Sequence, residues 1–322
     1  MNRRQLMTAL GVVALWPAGL RAQSYPNRPI RIIVPFAAGG AADLFARALA
    51  AKMGSELGVQ IVAEVHAGAS GLTGVDVAAK SPPDGYTICL AGAAALSAIP
   101  FMVAKMPFDW QKDLALLTNV VRVPEVVLVD AKLGLNTLQD FVAYARANPG
   151  KVNFGSAGTG SITHLASELL KSEANIDIVH IPYRGVAPAI ADMLGGHIQM
   201  LTADVPFMLP HIHSGAAKAL AVTSHTRSSA LLDVPTTAEA GYPRVNSDNW
   251  YGLVAPAGTP VLALDKIRLA AVAALQSGEI RQQFEAMNAI ASPSSPADFA
   301  AFIRSEQDKW GPVVKRTGVK LD

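Results

Sequence analysis

Two stretches of the chain combine residue types that can hold an anion. In Pro35 to Arg47, PFAAGGAADLFAR, an apolar strand pattern runs through Gly39 and Gly40 straight into a helical one. Glycine at such a corner permits unusual backbone angles and close approach of a ligand, and the first helical turn presents N–H groups without intrahelical partners. The helix dipole adds to the attraction, so Phe36, Ala37, Ala38, Gly39 and Gly40 form a candidate cradle for a negative group. Asp43, in the first turn, is explained equally well as an acid complementing that dipole. Phe154 to Lys171, FGSAGTGSITHLASELLK, repeats the logic, with Ser161 placed to cap a helix whose apolar side is Ile162, Leu165, Leu169 and Leu170. Here Ser156, Thr159 and Ser161 add hydroxyls to the backbone donors of Ala157 and Gly158. Either corner alone is an ordinary α/β turn. Two of them in one chain point to an anion held beyond the strand ends.

Other chemistry fits less well. Ser156 lies in FGSAG, which lacks the first glycine of G-x-S-x-G, and Ser70 in GASGL lacks the last. There is no Walker sequence and no complete dinucleotide fingerprint, and no cofactor is expected. His164, on the first turn after the second corner, could serve Ser156 or Ser161 as a base, which keeps a secreted serine hydrolase as an alternative. No triad pattern accompanies it, and polar lining is the simpler role. Asp204, in QMLTADVPFMLPHI, ends an apolar strand before a proline. Turn chemistry accounts for it, and so does a position near a cleft, where it would select ligands that also carry a donor or an amine. His211 and His213 have no acid or cysteine close by in sequence, so no metal is expected. Cys89, the only cysteine, sits in the strand pattern YTICLAG as a buried small hydrophobe, and an intramolecular disulfide is impossible.

These residues need elements to position them. From Arg31 on, strand and helix patterns alternate, which argues for parallel sheets flanked by helices. RIIVPF, QIVAEV and YTICLA read as strands, with helices over 41–57 and 73–80. EVVLVD, VNFGS, IDIVHIPY, IQMLTA and AKALAVTS form a second series with helices over 137–148, 162–173 and 188–194, the last ended by Gly195-Gly196 in the manner of a left-handed cap. No Gly/Ser-rich or charged linker separates the two series, so the chain must cross between them on short strands. WYGLVAPAGTP then leads into two or three amphipathic helices. Their return to the first unit would give two α/β lobes with a cleft between: 25–126 and 248–322 as one, 127–247 as the other.

Residues 1–24 carry Arg3 and Arg4, an apolar run from Leu6 to Leu15, and small residues near Ala22 to Ser24, the pattern of a secretory leader. RRQLM is a loose twin-arginine match, and an ordinary Sec leader fits as well. The apolar run falls short of the about 20 residues that span a bilayer. The leader holds three arginines and no acid, so its removal takes the formal charge from +2 to −1. Nothing then suggests nucleic acid or an anionic membrane as partner. The remaining chain, about 300 residues, suits two lobes or one large domain, and the leader argues for export to a periplasm.

YPNRPIRIIVPFAAGGAADLFAR, SPPDGYTICLAG, MPFDWQKDLALLTNV, NFGSAGTGSITHLASELL, IPYRGVAPAIADMLGGHIQM, LAVTSHTR, VPTTAEAG, WYGLVAPAGTP and the closing GVKLD resemble, in order and spacing, the Bug-type periplasmic receptors of tripartite tricarboxylate transporters. The resemblance runs from Tyr25 to Asp322. It implies a type II periplasmic binding protein fold, two α/β lobes joined by short hinge strands, closing on a small carboxylate. It implies a site of Phe36 to Gly40 with Asp43, Ser156 to Ser161 with His164, and Asp204, with membrane permease subunits as partners and no catalysis. A sensor presenting ligand to a two-component kinase is an alternative of the same fold. The chain departs from the family at Glu64 to Gly71, EVHAGASG, where asparagine, arginine and proline are lost. It departs also at the apolar Gly92 to Leu96 and at Val205 after the aspartate. A less polar pocket would favour one carboxylate on an apolar or aromatic body.

Overall fold

The structure is a computed structural model that describes residues 25–321; the secretory leader read from 1–24 lies outside the described residues. In chain order the first elements are β1 (Ile30–Val34), α1 (Ala41–Leu57), β2 (Ile61–Val65), α2 (Leu72–Ala79), β3 (Thr87–Gly92), α3 (Trp110–Asp113) and β4 (Leu114–Asp130). There follow α4 (Leu138–Ala147), β5 (Val152–Ser156), α5 (Ile162–Ala174), β6 (Ile178–Pro182), α6 (Val186–Leu194), β7 (Met200–Asp204), α7 (Val205–His213) and β8 (Ala217–Val222). The chain ends with β9 (Asp248–Pro256), α8 (Val261–Gln276), α9 (Gly278–Ala286), β10 (Ile290–Ala291) and α10 (Pro296–Thr317).

The strands lie in the order β2-β1-β3-β9-β4-β7-β5-β6, with β8 and β10 also on β4. β1, β2 and β3 run parallel, as do β6, β5 and β7. The arrangement is the two-lobed mixed α/β fold of periplasmic binding proteins. The 17-residue β4 holds the lobes together. Through Pro124 it pairs with β9 in one lobe, and from Glu125 it pairs with β7 in the other. The second crossing lies beside it: Thr223 N–H donates to Glu125 O, and Ser247 N–H to Thr223 O. EVVLVD is thus the second half of a longer strand. Its first half, Leu114 to Pro124, escapes a strand reading because its apolar run carries Thr118, Asn119, Arg122 and Pro124. All four find their place in a ladder with two register shifts against β9.

Buried residues explain the elements. β1 is an inner parallel strand, and Ile30, Ile32, Ile33 and Val34 are all buried, as strands covered on both faces require. Phe45, Leu49 and Met53 of α1 pack beneath it with Leu275 and Phe284. α10 lays Phe299, Ile303 and Trp310 on a core that reaches both lobes, and Trp250 and Trp310 both donate to Glu306 Oε2 at 3.2 Å. Phe299 lies so close to β9 that only glycine fits at Gly252, where a Cβ would stand 2.0 Å from the ring. Cys89 is wholly buried in β3, between β1 and β9. No helix among the described residues is long and apolar enough to cross a membrane.

Candidate functional site

A cavity of about 520 Å³ opens between the lobes. From the first lobe it is lined by Pro35, Phe36, Ala37, Gly40, Ala41, Ala42, the 67–71 loop, Ala93 and Ala94; from the second by Ala157, Ser161, Ile162, Thr163, Arg184, Gly185, Val186, Asp204 and Phe207; and from β9 by Asn249 and Tyr251. Five helices therefore begin on it: α1, α2, α5, α6 and α7.

Among the described residues, four of these five have no side-chain cap, though in α2 the first donors, Leu72 and Thr73 N–H, already go to Ala69 O and Gly68 O. The residues preceding α1, α2, α6 and α7 are Gly40, Gly71, Gly185 and Asp204, and none gives a side-chain hydrogen bond to its helix. Away from the cavity, among the described residues, α3, α4, α9 and α10 are capped by Asp109, Thr137, Ser277 and Ser295, and only α8, after Pro260, is not. Caps stabilise a helix by about 1 kcal/mol. Glycine before α1, α2 and α6 gives up only about a few tenths of a kcal/mol of that and leaves positive dipole ends facing the cavity.

The sequence-predicted residues divide by role. Phe36, Ala37, Gly40, Ala157, Ser161 and Asp204 line the cavity. Asp43 is buried and turned inward, accepting from Gly39 N–H at 2.9 Å and pairing with Arg47 at 2.9 Å. The Arg47 guanidinium, with the Gly39 bond, holds its carboxyl below the usual range against the effect of burial. Ala38 and Gly39 form the bend before α1. In the second corner the backbone donors mostly close on the protein: Ala157 N–H on Thr163 Oγ1, Gly158 N–H on Ser156 Oγ, Gly160 N–H on His164 Nδ1 and Ser161 N–H on Gly158 O. This corner thus offers the cavity Ser161, Ile162 and Thr163 rather than a free loop. Thr159 O accepts from Ser70 Oγ at 3.3 Å, a hydrogen bond across the cleft.

Ser156 and His164 sit behind this surface. Ser156 is fully buried, and its Oγ lies 2.7 Å from Nε2 of His180, not beside His164. His164 and His180 stack with centroids 3.7 Å apart, and Phe154 lies 5.0 Å from His180. Burial depresses both imidazoles, to about 3 and about 4, so both are neutral at physiological pH and support the corner from below. His180 was invisible as a partner in IDIVHIPY. Its register position opposite Phe154 on β6 is the signal, and it needs the β5–β6 pairing to be known.

At the floor, Asn249 Nδ2 reaches Asp204 at 3.3 and 3.4 Å and the Tyr251 hydroxyl at 3.3 Å. Burial lifts the Asp204 carboxyl to about 7, against the Asn249 bond. The apolar share of the wall comes from Phe36, Phe207, Ala93, Ala94 and Val186. Phe36 can lie there because Gly71 and Gly92 carry no Cβ, which would stand 2.9 and 2.7 Å from its ring. His211 and His213 fall on the last turn of α7, and no group of three or more acids, histidines or cysteines able to hold a metal occurs among the described residues.

A hinged α/β pair with an anion-seeking cleft defines a solute-binding receptor. The chain belongs to the tripartite tricarboxylate transporter family of receptors, whose family profile it matches over residues 45–319. It is similar to Protein BugT of Bordetella pertussis, 37% identical over the whole of both chains. Among solved structures it resembles a periplasmic transporter, at 39% identity and TM-score 0.85, covering 92% of this chain and 100% of that one. A protein of R. palustris solved with adipate is 29% identical with TM-score 0.85, covering 92% and 99%. MatC from Rhodopseudomonas palustris, solved with malate, is 28% identical with TM-score 0.81, covering 90% and 100%.

Proposed function

We propose that this receptor captures a small organic acid carrying an apolar body in the cleft between its lobes and delivers it to the membrane subunits of a tripartite transporter. The observation that carries the reading is the set of three helix N-termini, of α1, α6 and α7, that face one cavity without a side-chain cap, while helices starting elsewhere are mostly capped. Backbone donors and aligned dipoles stabilise a carboxylate there, with Arg184 as the one cation on the wall among the described residues. The adipate and malate held by two structural relatives support carboxylate as the class. The aromatic and aliphatic wall supports a body less polar than malate. Cleft closure excludes water, and the permease recognises the closed form. The mature protein acts in the periplasm after Sec or twin-arginine export.

Thermal-shift screening of the mature, refolded protein against aliphatic diacids, aromatic acids and amino acids tests this, since a ligand bound only by the folded state raises the melting temperature. Gly40→Asp is the discriminating variant. Gly40 has φ −79°, which any residue adopts, and its Cβ would stand 3.3 Å from Ala37 O, so an aspartate there needs a small local shift to cap α1 and carry negative charge to the cleft. Its melting temperature stays within a few degrees of wild type, because an N-cap exchange from glycine changes stability by only about a few tenths of a kcal/mol. The acid-induced shift disappears. A shift retained in Gly40→Asp, or no acid shifting the wild type, sinks the reading.

A further inference from the structure

Glu125 and Asp204 are directly opposed on the β4–β7 ladder, at the point where β4 passes from one lobe to the other. Opposed residues of an antiparallel pair carry their side chains on the same face, with Cβ atoms about 5 Å apart. Glu125 is wholly buried; Ser247 Oγ donates to its Oε2, and its Oε1 meets no hydrogen-bond partner among the described residues. Asp204 is 7% exposed, lines the cavity, and leaves the N-terminus of its own helix α7 uncapped, its carboxyl facing Asn249 instead.

Among the described residues no cation pairs with either acid: Arg184 shares the cavity wall with Asp204 without an ion pair, and the pull of Lys309 on Glu125 is outweighed by burial and by Asp204. Asp248 of β9 is a third acid, with Oδ1 unpartnered, and the Tyr251 hydroxyl is neutral. Arg122 of β4 lies over the Phe302 ring at 4.7 Å, and Lys309 of α10 pairs with Glu306 at 2.6 Å. His225, in the loop after β8, acts on Asp248. Two opposed, buried carboxyls in such surroundings do not both ionise. An anion entering the cavity adds another like charge beside Asp204, and a proton taken from solvent offsets it.

Accepting the cleft as a carboxylate site, we propose that Asp204 is a specificity-determining residue that takes up a proton as the acid anion enters, so that anion capture and protonation of Asp204 are one coupled step. The reaction is balanced by one proton from bulk water, which leaves the Asp204 carboxyl neutral and able to donate to the ligand. Asp204 borders the cavity whereas Glu125 is sealed behind it, so an anion in the cavity acts first on Asp204, whose carboxyl burial has already raised toward about 7. By linkage the affinity is flat below about pH 7 and falls by up to about tenfold per pH unit above it.

Calorimetry of the mature protein with adipate, malate and benzoate, in buffers of different ionisation enthalpy at about pH 7.5, reads the proton directly. Wild type takes up protons on binding, Asp204→Asn binds with pH-independent affinity and no uptake, and Glu125→Gln, which keeps Asp204, retains the uptake. Infrared difference spectra of wild type with carboxyl-13C-labelled aspartate need no variant. There, ligand addition produces a protonated-carboxyl band. Binding without proton uptake or without that band overturns this proposal alone, as does uptake that persists in Asp204→Asn. No binding by any of the acids overturns the carboxylate reading as well.

Discussion

At His164 and His180 the two rings share a buried stack, and their depressed affinities for protons tie stability to pH. Unfolded, each imidazole titrates near about 6.5. Below that value the unfolded chain binds protons that the folded one refuses, so the contribution is complete above about pH 6.5 and is lost as pH falls toward 4. At about pH 5 the loss is up to about 2 kcal/mol for His164 and less for His180, which solvent partly reaches. The raised acids Asp204, Glu125 and Asp248 have the opposite sign: their folded forms hold protons longer, so their contribution weakens as pH rises through the same window. Wild type therefore shows a shallow profile in urea unfolding between about pH 5 and 7.5. His164→Asn with His180→Asn is less stable at the upper pH through lost packing, but gains on the acid side relative to its own neutral value. A double variant with the wild-type profile would assign the acid response to other groups.

Among the elements, capping separates architecture from function. Thr137 and Asp140 form a reciprocal capping box on α4, remote from the cavity, so Thr137→Ala costs about 1 kcal/mol in chemical denaturation with ligand-induced shifts unchanged. Ser161 caps α5 and lines the cavity, so Ser161→Ala costs about as much and also weakens acid binding. Equal effects of the two variants on binding would mean that α5's mouth has no part in the site. Most elements were legible because their signals are local. Apolar spacing marks α1 over 41–57, and the Ser161 cap marks the start of α5. What was not legible depends on distant partners. α2, α6 and α7 open on the same cavity only once the lobes are assembled, and Gly71 and Gly185 look like any loop glycine. In the same way Ser156 meets His180, 24 residues away, across the β5–β6 pairing rather than His164 on the helix that follows it. Asp204 could be read as a strand-end acid, whereas its opposition to Glu125 requires the β4–β7 register.

For the molecule as a whole, the two crossings at Glu125 and at Thr223 and Ser247 are short and bonded to each other, so the lobes are joined by adjacent strands. The Ser70–Thr159 hydrogen bond and the packing of Leu321 beside Gly160 and Met102 join the lobes at the rim. The apolar core under α10 is shared between the lobes. That interior contains the chain's sole thiol, Cys89, sealed in the middle of a sheet and raised by burial far above the range where thiolates form. The protein thus carries a built-in clock for global opening. A thiol reagent reacts with native protein only at the rate at which this shared core comes apart. A saturating acid slows that labelling by the same factor by which it lowers the unfolded population, so one reaction curve with and one without ligand yields a binding free energy without any optical change in the protein. Fast labelling insensitive to ligand would mean that β3 is exposed by local fluctuations, and that the first lobe is less of a unit than its core suggests.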